Sequence, residues 1–199
     1  MISAILLAAG KSKRMNGENK LTKEINSIPL INYSIKNILA SSVDELIIVL
    51  GFESNILQNL IQKNNKIKII INKNFENGMA STIKLGLENL SKKSEAFFIC
   101  MADMPMISQN IYNKMIKSKF NYNNKKNIKY KKKIIIPTYN GKDGNPVLFS
   151  ILMKNEIMKI NGDVGARKII DLHPNQILSV PLKSDKIFLD FDKQEDFSF

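Results

Sequence analysis

The residues able to do chemistry in this chain gather in short segments that follow apolar runs. The first reads Leu7-Ala8-Ala9-Gly10-Lys11-Ser12-Lys13-Arg14-Met15 and continues to Lys20-Leu21. Small residues at Ala8, Ala9 and Gly10 let backbone N–H groups approach a phosphate closely, and the cations Arg14 and Lys20 come after them. The segment is neither a Walker A sequence, which needs Gly-Lys followed by Ser or Thr after a fixed gap, nor a GxGxxG fingerprint. The competing reading is an ordinary basic surface loop. Arg14 and Arg167 are the only arginines among 30 basic residues. Both stand in glycine-containing segments, and a guanidinium grips phosphate bidentately where an ammonium cannot, which points to phosphate or substrate contact; chance placement of two residues is the alternative.

Asp103 stands just beyond another apolar run. A hard carboxylate there suits Mg2+, which takes few protein ligands and completes its shell with water and phosphate; a turn or helix-cap aspartate ahead of Pro105 is the alternative. In Phe188-Leu189-Asp190-Phe191-Asp192 the alternation is that of a strand, which puts Asp190 and Asp192 on one face and lets only one of them reach a ligand. Gly78 to Ser81 opens a helical pattern. A helix start there offers free N–H groups to an anion, and equally reads as a plain helix start with Ser81 in its first turn. Asp163 either orients Arg167 or a substrate, or caps a helix, and Asn145 before Pro146 is turn-like. His173, the only histidine, precedes Pro174 at a helix end and reads as structural rather than as a general base. Cys100 lies in an apolar strand and reads as core.

Elements that would position these residues alternate along the chain. Strands are predicted over residues 3–8, 45–50, 66–71, 95–101 and 133–138, and helices over 29–40, 54–62, 79–90 and 108–118. Pro29 suits a helix start, and Ser54 and Ser108 suit N-caps. Near-continuous apolar strands separated by helices predict a doubly wound, mostly parallel α/β sheet sandwiched by helices, with ligands at the carboxyl ends of the strands. Its 199 residues make one domain. The lone cysteine excludes an internal disulfide framework, and no run reaches the roughly 20 apolar residues of a membrane span. A cytoplasmic, membrane-free protein is expected.

A net charge of +12 invites a nucleic-acid reading, but 28 of the 30 cations are lysines in an Asn- and Ile-rich chain, so general solubilising charge is the expectation. Specific nucleic-acid binding is not expected. Residues 121–133, NYNNKKNIKYKKK, read as a solvated Lys/Asn-rich loop.

Six segments in order resemble the molybdenum cofactor cytidylyltransferases, within the Rossmann-like nucleotidyltransferases. They are LAAGKSKRM followed by NKL; Asn72 with Gly78-Met79-Ala80-Ser81-Thr82-Ile83; Ala102-Asp103-Met104-Pro105; Gly144-Asn145-Pro146-Val147-Leu148-Phe149; Gly162-Asp163-Val164-Gly165-Ala166-Arg167; and Asp190-Phe191-Asp192 ahead of Glu195-Asp196. The resemblance implies one NTP transferase domain over residues 1–199, of the nucleotide-diphospho-sugar transferase-like fold. It implies Mg2+-dependent transfer of CMP from CTP to the terminal phosphate of molybdopterin, with the dinucleotide product passed to a molybdoenzyme. It makes Arg14, Lys20 and Asp103 catalytic, and Asp103 and Asp192 the metal ligands. It puts Leu7, Ala8, Ala9, Gly10, Asn72, Gly78, Ser81, Asn145, Asp163 and Arg167 around the substrates. Lys193 and Gln194 depart from the Thr-Pro usual after Asp192. Ala9 resembles the cytidylyl branch, whereas the guanylyl branch usually reads LAGG. The alternatives within this reading are GTP with molybdopterin, CTP with a sugar or polyol phosphate, or a non-catalytic carrier of the cofactor.

Overall fold

Seven consecutive residues of β1 (Ile2–Ala8) are buried, which a strand achieves only in the middle of a sheet covered on both faces. The computed structural model describes residues 1–12, 15, 18–123 and 132–197. After β1 come β2 (Glu24–Ile25), β3 (Ile28–Pro29), α1 (Leu30–Leu39), β4 (Glu45–Leu50), α2 (Ser54–Leu60), β5 (Ile67–Ile71), α3 (Met79–Glu88), β6 (Ala96–Met101) and α4 (Gln109–Asn123). There follow β7 (Ile134–Tyr139), β8 (Lys142–Asp143), β9 (Val147–Ser150), α5 (Lys154–Ile157), α6 (Arg167–Leu172) and β10 (Ile177–Pro181). The main sheet runs β10-β7-β9-β6-β1-β4-β5, with β8 paired to β7. β1 is parallel to both β4 and β6, β5 to β4, and β10 to β7, while β9 is antiparallel to β6 and β7.

Period-two alternation sends side chains of the central strands into two cores. Leu6, Ile48 and Phe98 meet Leu30 and Ile31 of α1, Leu57 of α2 and Tyr112 and Met115 of α4 on one face. On the other, Ile5, Val49 and Phe97 meet Ile83 and Leu87 of α3, Ile157 of α5 and Ile169 of α6. Among the described residues no helix is long and apolar enough to cross a membrane.

All five predicted strands are present, each within one residue of its predicted ends, and Pro29 stands at the N-cap of α1. Other expectations need correction. α4 runs on to Asn123, so the first three residues of the 121–133 loop are helical, and 124–131 lie outside the described residues. Ser54 is the first residue of α2 rather than its cap; Glu53 takes that place with φ 50°. The segment 188–192 is not a strand. A 3-10 turn, Asp185–Phe188, carries the buried Ile187, and in the stretch after it Phe191 is buried while Leu189 is 43% exposed. A strand that buried Ile187 and Phe191 would bury Leu189 on the same face, and this segment does not.

Candidate active site

Lys20 owes its position to two residues in the loop after β1. Asn19 is 2% exposed. Its Oδ1 accepts the N–H of Leu21 at 3.1 Å, and its Nδ2 donates to the Phe52 carbonyl at 3.3 Å. This is an N-cap, and it starts the 3-10 turn Lys20–Thr22. The Lys20 N–H donates to Ser12 Oγ at 3.1 Å, closing the loop on itself. Ala9 is buried against Gly51, where a Cβ would stand 2.7 Å from that of Ala9, whereas a Cβ on Gly10 would meet nothing within 4 Å. Arg14 lies outside the described residues.

Asp103 leaves the carboxyl end of β6 on a turn held by α1. Ser34 Oγ donates to the Ala102 carbonyl at 3.1 Å and Asn37 Nδ2 to that of Pro105 at 3.1 Å. The Phe191 N–H donates to the Asp103 carbonyl at 2.9 Å, which brings the C-terminal segment alongside. Asp196 then accepts the N–H groups of Asp192 and Lys193 at 2.8 and 2.7 Å, and these hold its carboxyl below the ordinary range. That local loop fixes Asp192 despite the departures at Lys193 and Gln194.

The three charged groups meet. Lys20 Nζ lies 2.5 Å from Asp103 Oδ2 and is also paired with Asp192 Oδ1. The side chains of Lys20, Asp103 and Asp192 are 14, 13 and 25% exposed. Burial alone would lower the Lys20 pKa, but the Asp103 and Asp192 carboxylates outweigh it and hold the amine above its ordinary value. Asp103 Oδ1 is buried and has no hydrogen-bond partner among the described residues. Partial burial, then the negative charges of Asp192 and Asp103, raise the Asp190 carboxyl above its usual range.

Two adjoining compartments open at the carboxyl ends of the strands. The larger, about 770 Å³, is lined by the 8–12 loop, Lys20, residues 76–78, Asp163 and Asp192. The smaller, about 320 Å³, is lined by residues 143–145, Arg167, Phe188 and Asp190. Among the described residues they share Leu7, Met79, Met101 and Asp103, of which Asp103 alone carries a charge. Asp190 and Asp192 thus both reach the crevice, in different compartments. The expectation that only one could do so is corrected, because it assumed a strand the segment does not form.

The structure disperses some of the expected contacts. Asn72 Nδ2 donates to Ser81 Oγ at 2.9 Å and to Thr82 Oγ1 at 3.1 Å, and its Oδ1 accepts from the Asn74 N–H at 2.9 Å. Neither Asn72 nor Ser81 lines a compartment; together they tie the end of β5 to the start of α3. Asp163 is a cap, though of α3 rather than of its neighbour α6. Its Oδ1 accepts the Met79 N–H at 3.2 Å, and the Gly162 carbonyl accepts that of Ala80 at 3.1 Å. The Met79 N–H expected to face an anion is therefore already taken. Gly78, at φ 89°, lies so close that a Cβ would stand 2.6 Å from the Asp163 nitrogen, which only glycine allows. Arg167 is paired with Asp143 at 3.4 Å and Asp171 at 3.3 Å, not with Asp163. Asn145 lines the smaller compartment, its N–H donating to the Ile187 carbonyl at 3.0 Å. His173 caps the end of α6 and lines neither compartment. Cys100 is buried, and burial pushes its thiol up to about 12, too high for a nucleophile.

Ser34 was not anticipated from the sequence, and Asn19 and Asp196, though part of the quoted segments, were given no role. For Asn19 the signal was an Asn directly before a short turn; Asp196, four residues after Asp192, offered an aspartate placed to accept the N–H groups before it.

A family model described as the MobA-like NTP transferase domain matches residues 4–177. The chain belongs to this family. As a MobA-like protein it is a nucleotidyltransferase. The matched span covers the 8–20 loop, Asp103 and the loop before α6; Asp190 and Asp192 lie beyond it. Over 196 residues the chain is 26% identical to the molybdenum cofactor cytidylyltransferase of Escherichia coli strain K12, covering 98% of this chain and 93% of that protein. It is 30% identical over 187 residues to a probable molybdenum cofactor guanylyltransferase of Natranaerobius thermophilus, covering 87% and 82%. The crystal structure of Rv0371c from Mycobacterium tuberculosis H37Rv shares the fold, with a TM-score of 0.82 at 18% identity over 98% of this chain and 94% of that one. The manganese complex of that protein superposes with a TM-score of 0.79 at 16% identity, over 98% and 95%.

Proposed function

We propose that this MobA-like protein transfers CMP from CTP to the terminal phosphate of molybdopterin, releasing pyrophosphate and giving molybdopterin cytosine dinucleotide. One observation carries the reading: among the described residues Asp103 is the single charged one common to two compartments, which is where a reacting phosphate must sit between two substrates. The larger compartment suits the nucleotide, because the small 8–10 loop and Lys20 line it. The smaller suits the acceptor, with Asn145 and Arg167 in its wall. The Escherichia coli and Natranaerobius thermophilus relatives carry molybdenum cofactor nucleotidyltransferase names, which supports the acceptor, and Ala9 in Leu7-Ala8-Ala9-Gly10 supports cytosine over guanine.

The residues present fit a divalent cation. Asp103 and Asp192 are hard oxygen donors that a single nitrogen already bridges, and Asp103 Oδ1 is buried without a partner among the described residues. Two carboxylates, with water and phosphate oxygens completing the shell, are what Mg2+ takes. When bound there, Mg2+ supplies charge neutralisation to the phosphate oxygens. Lys20 and Arg14 bind the triphosphate and neutralise charge as the leaving pyrophosphate departs. The acceptor phosphate is largely ionised at neutral pH, so its oxygen attacks the α-phosphorus without a general base, and the bond to the β-phosphate breaks.

The base is tested by pyrophosphate release from CTP, GTP, ATP and UTP in the presence of Mg2+ and fresh molybdopterin. Release from CTP at least tenfold above that from GTP is expected; preference for GTP would overturn the cytosine assignment.

A further inference from the structure

The space between Asp103 and Asp192 already holds a cation of the chain's own. One nitrogen, Lys20 Nζ, contacts an oxygen of each carboxylate, and all three side chains are largely shielded from solvent. A hard dication approaches carboxylate oxygens to about 2.1 Å, closer than the ammonium does. Two positive centres held against the same carboxylate pair at such range repel strongly in a partly buried site, where charges are poorly screened. The main chain of Lys20 is fixed through Ser12 Oγ and the turn that Asn19 caps, so its side chain alone is free to move. Lys20 also lines the larger compartment, where a triphosphate would offer it an anion of higher charge.

We propose that Lys20 is the resident counter-ion of the Asp103 and Asp192 pair, and that its ammonium and a divalent cation are alternative occupants of the space between them. Lys20 holds the two carboxylates together in the free enzyme and leaves them when a triphosphate draws it away. Cation binding then depends on nucleotide, and Lys20 has two stations rather than one. The inference rests on the assignment of Asp103 and Asp192 as metal ligands.

Mn2+ serves as the probe, with free Mn2+ read by electron paramagnetic resonance in the absence of nucleotide. Lys20→Met and Lys20→Gln, checked for folding by circular dichroism, should each bind Mn2+ at least tenfold more tightly than the unmodified protein. The unmodified protein should reach comparable affinity only with a non-hydrolysable CTP analogue present. Affinity in both variants equal to or weaker than that of the unmodified protein overturns the proposal. A second measurement needs no variant. Saturating Mn2+ alone should raise the reactivity of Lys20 toward an amine-labelling reagent several-fold, and unchanged labelling overturns the proposal too. If Asp103→Asn leaves Mn2+ affinity unaltered with the CTP analogue bound, the ligand assignment itself has failed. If it weakens that affinity while the Lys20 variants gain nothing, only the exchange has failed.

Discussion

A lysine between two aspartates, all three shielded from water, is stable only if each charge is answered; here one ammonium contacts both carboxylates, and one buried oxygen of Asp103 has no partner among the described residues. The resemblance implied that Asp103 and Asp192 meet at a metal, but not that Lys20 lies between them, because the three are separated by 83 and 172 positions and their contact is made by the sheet. It equally overvalued Asn72 and Ser81, whose polar side chains spend their hydrogen bonds on each other and on nearby backbone. Gly10 allows a clean test at this scale. A Cβ there meets nothing in the protein, and its φ is not one that demands glycine. Gly10→Ala should leave the melting temperature unchanged or slightly raised, since alanine narrows the unfolded ensemble. If backbone approach to phosphate is why the residue is small, the KM for CTP should rise about tenfold, as about 1.4 kcal/mol of binding is lost. An unchanged KM would show that the loop does not cradle the nucleotide at this position.

At the scale of elements, the strongly periodic strands were legible because burial on both faces leaves an unbroken apolar signature. β9 and β10 were not predicted, β9 because it has four residues and β10 because only one of its five is buried, and the C-terminal segment misled because an aspartate-aromatic alternation mimics a strand although Leu189, which a strand would bury with Ile187 and Phe191, is exposed. The loop before α6 belongs to this scale as well. Lys84 Nζ donates to Asn161 Oδ1 at 2.8 Å, and with the Asp163 cap this bolts residues 161–163 to the first turns of α3. Met79 then forms part of both compartments, so the same bolt sets how the nucleotide wall stands relative to the acceptor wall. Removing the cap with Asp163→Ala should cost about 1 kcal/mol of stability and raise the KM for both substrates, whereas Asp163→Asn, which keeps an accepting oxygen, should recover most of the stability. Denaturant unfolding and steady-state kinetics check this; an Asp163→Ala protein as stable as the parent would remove the cap from the account.

Across the whole molecule, the order β10-β7-β9-β6-β1-β4-β5 places β1 and β6 side by side at the centre, so that the 8–12 loop and Asp103 emerge from neighbouring strands at the same edge. This is where doubly wound sheets bind ligands, and the sequence pattern was enough to predict it. The division of the crevice into two compartments was not legible, because it depends on the segment 185–192 folding back over the end of β6 through contacts far apart in sequence. The central claim is that phosphoryl chemistry takes place at Asp103, where the compartments join. Its most direct test is a single-turnover reaction with CTP, Mg2+ and molybdopterin, the dinucleotide product identified by mass spectrometry, for the parent protein and for Asp103→Asn shown to be folded. The account predicts product from the parent and a rate at least a thousandfold lower in the variant, equivalent to about 4 kcal/mol of transition-state stabilisation. Product formed by Asp103→Asn at the parent rate would contradict it.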